Sequence, residues 1–257
     1  MDGWEHIPGL DLGRRYKNAP IVEAIVEFRV TTDGLRLERL ADLDFGPNYR
    51  SPETVYTVEQ EVSFGEGGVS AETRDSQVGF AFNTEGAKRT VQVTATSFGF
   101  IWRGEYSHWE DFIGEVESAW ETYRAVAVPA FVGAIGVRFV NHIPMPPRPI
   151  EIKDYLRMSV DVPAQLPQTL TSLFLQVDIP LPEQHAQATV TSTMILGTPE
   201  QPAGWLVLDI DVKAPVGADT SAPTFGDTIT ATLDRLRLAK NYVFEACVTD
   251  ATRGLMD

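Results

Sequence analysis

Glu23, Glu27 and Arg29 fall within one apolar run of this 257-residue chain, Arg138 and Asn141 within a second, and Asp209, Asp211 and Lys213 within a third. Side chains at alternate positions of a strand share a face, so charges two or four residues apart would stand in a row. Rows of carboxylates can hold a divalent metal and rows of guanidinium groups can hold phosphates, as in tunnel enzymes that process triphosphates. Those enzymes carry a Glu-x-Glu-x-Lys run near the N-terminus, and Glu27-Phe28-Arg29 supplies only a fragment of it. The plainer reading is preferred: these residues face water or pair across strands, each contact contributing roughly 0.2–1 kcal/mol. Arg138 and Asn141 sit among apolar neighbours, which predicts that both are at least partly buried and hydrogen-bonded.

The other chemically capable residues are scattered. His6, His108, His142 and His185 have no metal-ligand spacing, and three or four converging ligands for zinc cannot be assembled, so no metal site is expected. The lone cysteine, Cys247, lies on an apolar helical stripe with no histidine near in sequence, which reads as a core thiol rather than a nucleophile. Gly65-Glu66-Gly67-Gly68 lacks the lysine and spacing of a phosphate-cradling loop and reads as a hairpin tip. There is no Gly-x-Ser-x-Gly elbow, Walker loop or dinucleotide fingerprint, so neither a cofactor nor a catalytic set is assigned. Trp4, Phe100, Trp102 and Trp205 would fill a second core layer or, on an open sheet face, form an apolar patch of the kind that marks a partner site.

Two long helices are predicted to support these strands. Ser107 and Glu110 have the spacing of a capping box, and Trp109, Phe112, Ile113, Val116, Trp120, Tyr123 and Ala127 then recur at helical spacing until Pro129. The opposite side carries Asp111, Glu115, Glu117 and Glu121. Thr224 with Asp227 starts the second helix, which runs to Asp250 with Ile229, Leu233, Leu236, Val243, Phe244 and Cys247 as its apolar stripe. Strands are expected at 18–30, 54–64, 77–83 and 90–102, and again at 131–143, 170–180, 186–196 and 205–212. Short amphipathic helices are expected at 35–43 and 151–157, and a mobile loop at 214–225. The order strand, short helix, three strands, long helix thus occurs twice. The expected fold is α+β: an N-terminal arm, 1–17, then duplicated β-α-β-β-β-α units at 18–129 and 130–257. Each unit would form a curved antiparallel sheet gripping one long helix, the whole making one compact pseudo-symmetric domain.

Composition limits the possible partners. The net charge of −15, from 21 basic and 36 acidic residues without a basic cluster, disfavours direct nucleic-acid binding and suits a basic protein partner. Met1–His6 is acidic and lacks the apolar core of a signal peptide. The longest apolar run, 125–137, is broken by Pro129 and too short to span a bilayer. A soluble protein is expected, and a single cysteine fits a reducing cytoplasm.

The segments Tyr16–Arg29, Trp109–Tyr123, Ile135–Ile143 and Leu233–Asp250 together resemble a sporadically distributed family of prokaryotic proteins of uncharacterised function. Its marks are an N-terminal PIVEAIVEFR-type strand and a central GVRFVNHI-type strand, and the resemblance covers nearly the whole chain. Where this family carries a histidine in the final helix, this chain has Arg237, which removes any catalytic role resting on that histidine. The family's patchy occurrence resembles that of defence, toxin–antitoxin and immunity genes, and it supplies no activity. The expectation is a noncatalytic protein-binding scaffold, antitoxin- or immunity-like, docking through Asp111, Glu115, Glu117 and Glu121. The alternative is a small phosphorylated-ligand or triphosphate protein using Glu23, Glu27, Arg29, Arg138, Asn141, Asp209 and Asp211.

Overall fold

The computed structural model describes residues 10–65, 68–146, 151–167, 170–198 and 204–257, the side chains of 58–74 excepted. Most of residues 1–17, including Trp4 and His6, and the Glu66-Gly67 tip of the glycine-rich hairpin lie outside the described residues. The chain is α+β, built on one antiparallel sheet. Its strands are β1 (Ile21–Thr31), β2 (Glu53–Gly65), β3 (Gly68–Asn83), β4 (Arg89–Thr94), β5 (Ser97–Arg103), β6 (Phe131–Met145), β7 (Phe174–Leu181), β8 (Ala186–Ile195) and β9 (Gly204–Asp219). They lie side by side in the order β2-β3-β4-β5-β1-β6-β9-β8-β7. β1 and β6 pair at the centre, Val26 opposite Val137, so all nine strands share one sheet.

The helices are α1 (Trp109–Ala127), α2 (Phe225–Cys247) and α3 (Asp250–Met256). Among the described residues no helix is long and apolar enough to cross a membrane. Alternation decides which sheet face the helices cover. Ala24, Val26 and Phe28 of β1 and Val137 and Phe139 of β6 are buried, whereas Glu23, Glu27 and Arg29 point the other way. Trp120 of α1 seats edge-on against Phe28 at 4.7 Å between centroids and against Phe98 at 5.5 Å, offset edge-to-face contacts that favour one fixed helix position. Tyr123 beside it is fully buried and donates its hydroxyl to the Thr94 carbonyl at 3.0 Å. α2 buries Leu233, Leu236, Ala239 and Val243 over the second half of the sheet.

Several expectations change. The stretch 90–102 is a hairpin, β4 and β5, because Thr94 Oγ1 accepts from the amides of Thr96 and Ser97 at 3.0 and 2.8 Å and turns the chain. The first half therefore has five strands and the second four. The short helices are 3-10 turns, Leu37–Asp42 and Ile152–Asp154, too brief to gain from α-helical cooperativity. Residues 214–219 are strand and not loop: β9 runs to Asp219 against β6, while its pairing with β8 stops at Lys213. Past that point β9 has an edge, and Pro215 fits there without breaking a ladder bond on both sides. Neither expected helix cap forms. Ser107 donates to Asp111 at 2.7 Å instead of capping, His108 occupies the cap position, and Thr224 makes no side-chain cap bond. The final helix breaks at Val248, and α3 restarts with Thr249 Oγ1 accepting from the Thr252 amide.

Candidate functional site

The strand-borne charges come first, since alternation places them. Glu23 pairs with Arg103 of β5 at 2.6 Å, Glu27 with Arg29 at 3.1 Å, and Asp211 with Lys213 at 2.7 Å. Arg138 straddles both oxygens of Asp209, from Nε at 2.9 and 3.1 Å and from Nη2 at 2.6 Å. The hydrogen bond to Asp209 raises the Arg138 pKa, against burial. All lie on the sheet face away from α1 and α2, each charge taken by a neighbour. Arg138 has the expected hydrogen bonds and is partly covered, its side chain 46% exposed: apolar neighbours in sequence bury Val137 and Phe139, while alternation turns Arg138 outward. Asn141 faces the helices instead, only 2% exposed, and its amide donates to the carbonyls of Phe139 and Leu208. The structure thus separates Asn141 from Glu23, Glu27, Arg29, Arg138, Asp209 and Asp211.

On α1 the acidic residues are exposed and mostly engaged. Asp111 accepts from Ser107, Glu115 takes the Arg89 guanidinium at 2.8 Å, and Glu121 pairs with Arg124 at 3.2 Å. Among these four, Asp111 and Glu117 have no ion pair among the described residues. His142 lies on the outer face beside Trp205, its pKa lowered by burial, and burial pushes the Cys247 thiol up to about 11. Phe100 and Trp102 fill the core, whereas Trp205 is exposed. Among the described residues no group of three His, Cys, Asp or Glu side chains is placed to hold a metal.

The residues with the most chemistry lie elsewhere. Residues 12–21 cross the helical side of the molecule, held by Asn241 donating to the Leu12 carbonyl at 2.9 Å and by Tyr16 donating to Glu245 at 2.7 Å. Between this segment, the start of α1 and the outer turns of α2 is a cavity of about 180 Å³. Tyr106, Trp109 and Phe244 are among its aromatic lining, and Asn141 reaches it from the sheet. Four cations border it: Arg14, Arg15, Arg237 and Lys240. A wider groove shares Arg14, Arg15 and Arg237 with it.

Not all of these cations are neutralised. Arg14 pairs with Asp257 at 2.6 Å, and Arg237 with Glu110 at 3.1 Å. Glu245 is already engaged: Arg253 binds its Oε2 at 2.8 Å while Tyr16 holds Oε1. Arg15 and Lys240 have neither a hydrogen bond nor an ion pair among the described residues. Lys240 Nζ stands 4.1 Å from the centroid of the Phe139 ring. Burial, and then the charge of Arg237, push the Lys240 ammonium down to about 7, against the pull of Glu245. Burial likewise raises the Tyr106 phenol, so it is held protonated. A partly buried cation without an ion pair, beside the unpaired Arg15 and the amide end of a 19-residue helix, favours an anion.

This cavity was not assembled from the sequence. The trace it left is the stripe of α2, which at 233, 236, 240, 243 and 247 passes through Lys240: a lysine stands where the helical period requires an apolar residue. Comparison of the chain with protein-family models and with curated proteins gave no match.

Proposed function

We propose that this protein binds a small anionic molecule in the cavity between residues 12–21, α1 and α2. The observation that carries this reading is Lys240, a lysine in the wall of an aromatic cavity with no anionic partner among the described residues, in a chain whose net charge is −15. Arg14, Arg15, Arg237 and Lys240 outnumber the two carboxylates of the same lining, Glu110 and Glu245, and leave a positive excess at this opening of an acidic protein. The volume is small beside the roughly 300–1,000 Å³ of pockets that enclose drug-sized ligands, so the reading is of a compact carboxylate or phosphate compound. It retains the small-ligand class expected from the strand charges and moves the site to the helical side. Thermal-shift titration with phosphate, carboxylates and nucleotides tests it. At least one anion should stabilise the wild type, by about 2.7 kcal/mol at a hundredfold excess over Kd, and stabilise Lys240→Met less. No shift with any anion, or an equal shift in the variant, overturns the proposal.

A second reading, the noncatalytic antitoxin- or immunity-like scaffold, is supported by a different feature. Phe174, Ile195 and Trp205 lie exposed at one end of the outer sheet face, Ile195 and Trp205 directly opposite one another. Exposed apolar side chains gathered in this way suit a protein partner. Trp205→Ser with Phe174→Ser should weaken binding to a protein partner, as should charge reversal at Glu117 and Glu121 on α1 where that partner is basic, and unchanged affinity of both variants in a pull-down would overturn this reading.

We also infer an internal duplication, and with it membership of the sporadically distributed prokaryotic family. In support, β1 and β6 meet at the sheet centre, each flanked by the last strand of its own half, β5 and β9, with the earlier strands outward and a long helix following. On this reading each half-sheet grips its own helix.

A further inference from the structure

We propose that Lys240 is a covalent site: its side-chain amine condenses with the carbonyl group of a small anionic aldehyde or 2-oxo acid held in the cavity, forming an imine. The inference rests on the anion-binding reading and names the substrate class for the same site. Three observations on the geometry carry it. Lys240 has no ion pair among the described residues, and Glu245, the carboxylate that attracts it, is itself held by Tyr16 and Arg253. Its Nζ lies 4.1 Å from the centroid of the Phe139 ring, and the residue lines the cavity. Arg15, which has no ion pair among the described residues, borders the same space and supplies a charge to hold a carboxylate or phosphate beside the reacting carbonyl. The withdrawal of the amine from water, which lowers its pKa to about 7, leaves a substantial neutral fraction at neutral pH.

The step balances without any outside oxidant or reductant. The Nζ lone pair attacks the carbonyl carbon, forming the C–N bond as the C–O π electrons move to oxygen, which takes a proton. Nitrogen loses its proton, the hydroxyl is protonated and leaves as water, and the C=N bond forms. Tyr106, kept protonated by burial and lining the cavity, can donate a hydrogen bond to the departing oxygen while solvent supplies the proton.

The experiment incubates the full chain with pyruvate or glyoxylate and sodium cyanoborohydride, then maps reduced adducts by peptide mass spectrometry. The expected result is one adduct at Lys240, favoured about tenfold or more over any other lysine, abolished in Lys240→Arg, and reduced with acetaldehyde, which lacks the anionic group. Thermal shift with the same acids runs in parallel. Binding without an adduct at Lys240 overturns the imine and leaves anion binding standing. Absence of both overturns the imine, with the anion-binding reading overturned as well only where phosphate and nucleotides also give no shift, and labelling spread evenly over the lysines overturns the covalent site.

Discussion

Arg253 of α3 donates from Nε to Glu245 Oε2 at 2.8 Å and from Nη2 to the backbone oxygen of the same glutamate at 2.6 Å, and both side chains are under 10% exposed. Tyr16 holds the other carboxylate oxygen, so this one glutamate ties residues 12–21, α2 and α3 together. Removing one partner strands the other in a poorly solvated place. Glu245→Leu or Arg253→Met alone should therefore cost about 3–5 kcal/mol, while the double variant should recover much of the loss. Urea unfolding of the three variants measures this. A double variant as unstable as the sum of the singles would show that the pair is not acting as a unit.

Tyr123→Phe tests how α1 is seated. Its ring is buried among Phe98 and Trp120, and its hydroxyl is the group that reaches the Thr94 carbonyl in the β4–β5 turn. Deleting the hydroxyl preserves the packing and leaves a buried carbonyl short of a donor, a loss of about 1–3 kcal/mol. In a chain of this size that lowers Tm by about 2–4 °C per kcal/mol. An unchanged Tm would mean that water satisfies the carbonyl.

Arg138 and Asp209 should behave differently, although their geometry is bidentate. Their pair lies on the outer sheet face with the Arg138 side chain 46% exposed, so solvent screens it. Arg138→Gln and Asp209→Asn should each change stability by no more than about 1 kcal/mol. A loss of several kcal/mol in denaturant titrations would contradict the assignment of these charges to an open surface.

The sequence carried the strands well because period two is local: the alternation at Ala24, Val26 and Phe28 sorts inward from outward residues without knowing any partner. It misplaced features that depend on neighbours distant in the chain. The Thr94 turn was hidden because β4 and β5 are both apolar and read as one run. The extension of β9 to Asp219 was hidden because Pro215 and Gly217 read as loop until β6 is known to lie alongside. For the site the reason differs. Arg14, Arg15, Tyr106 and Lys240 come from separate segments and converge only once α2 packs on the sheet, so no spacing rule joins them. Lys240 alone leaves a local signal, a charge inside the apolar stripe of α2, and the stripe is read without it.

That charge should show itself in the pH dependence of folding. Lys240 is faced by Arg14, Arg15 and Tyr16 from the N-terminal segment, by Tyr106, His108 and Glu110 around the start of α1, and by Arg237 and Glu245 on α2 itself. Its folded pKa, about 7, lies below the ordinary 10.5, so between these values the unfolded chain binds the extra proton. Unfolding free energy from this group consequently rises with pH across that window. The penalty of burying the ammonium is full below about pH 7 and relieved above about 10.5. Lys240→Met removes it, so the variant's advantage over wild type should be greatest below pH 7 and shrink steadily towards 10.5. Anion affinity should follow the opposite course in wild type, falling as pH rises through 7, because the bound anion favours the protonated amine. Denaturation of both proteins across this range, on a His108→Gln background to silence the imidazole, decides the matter: a constant difference between them means that Lys240 titrates as an ordinary surface lysine.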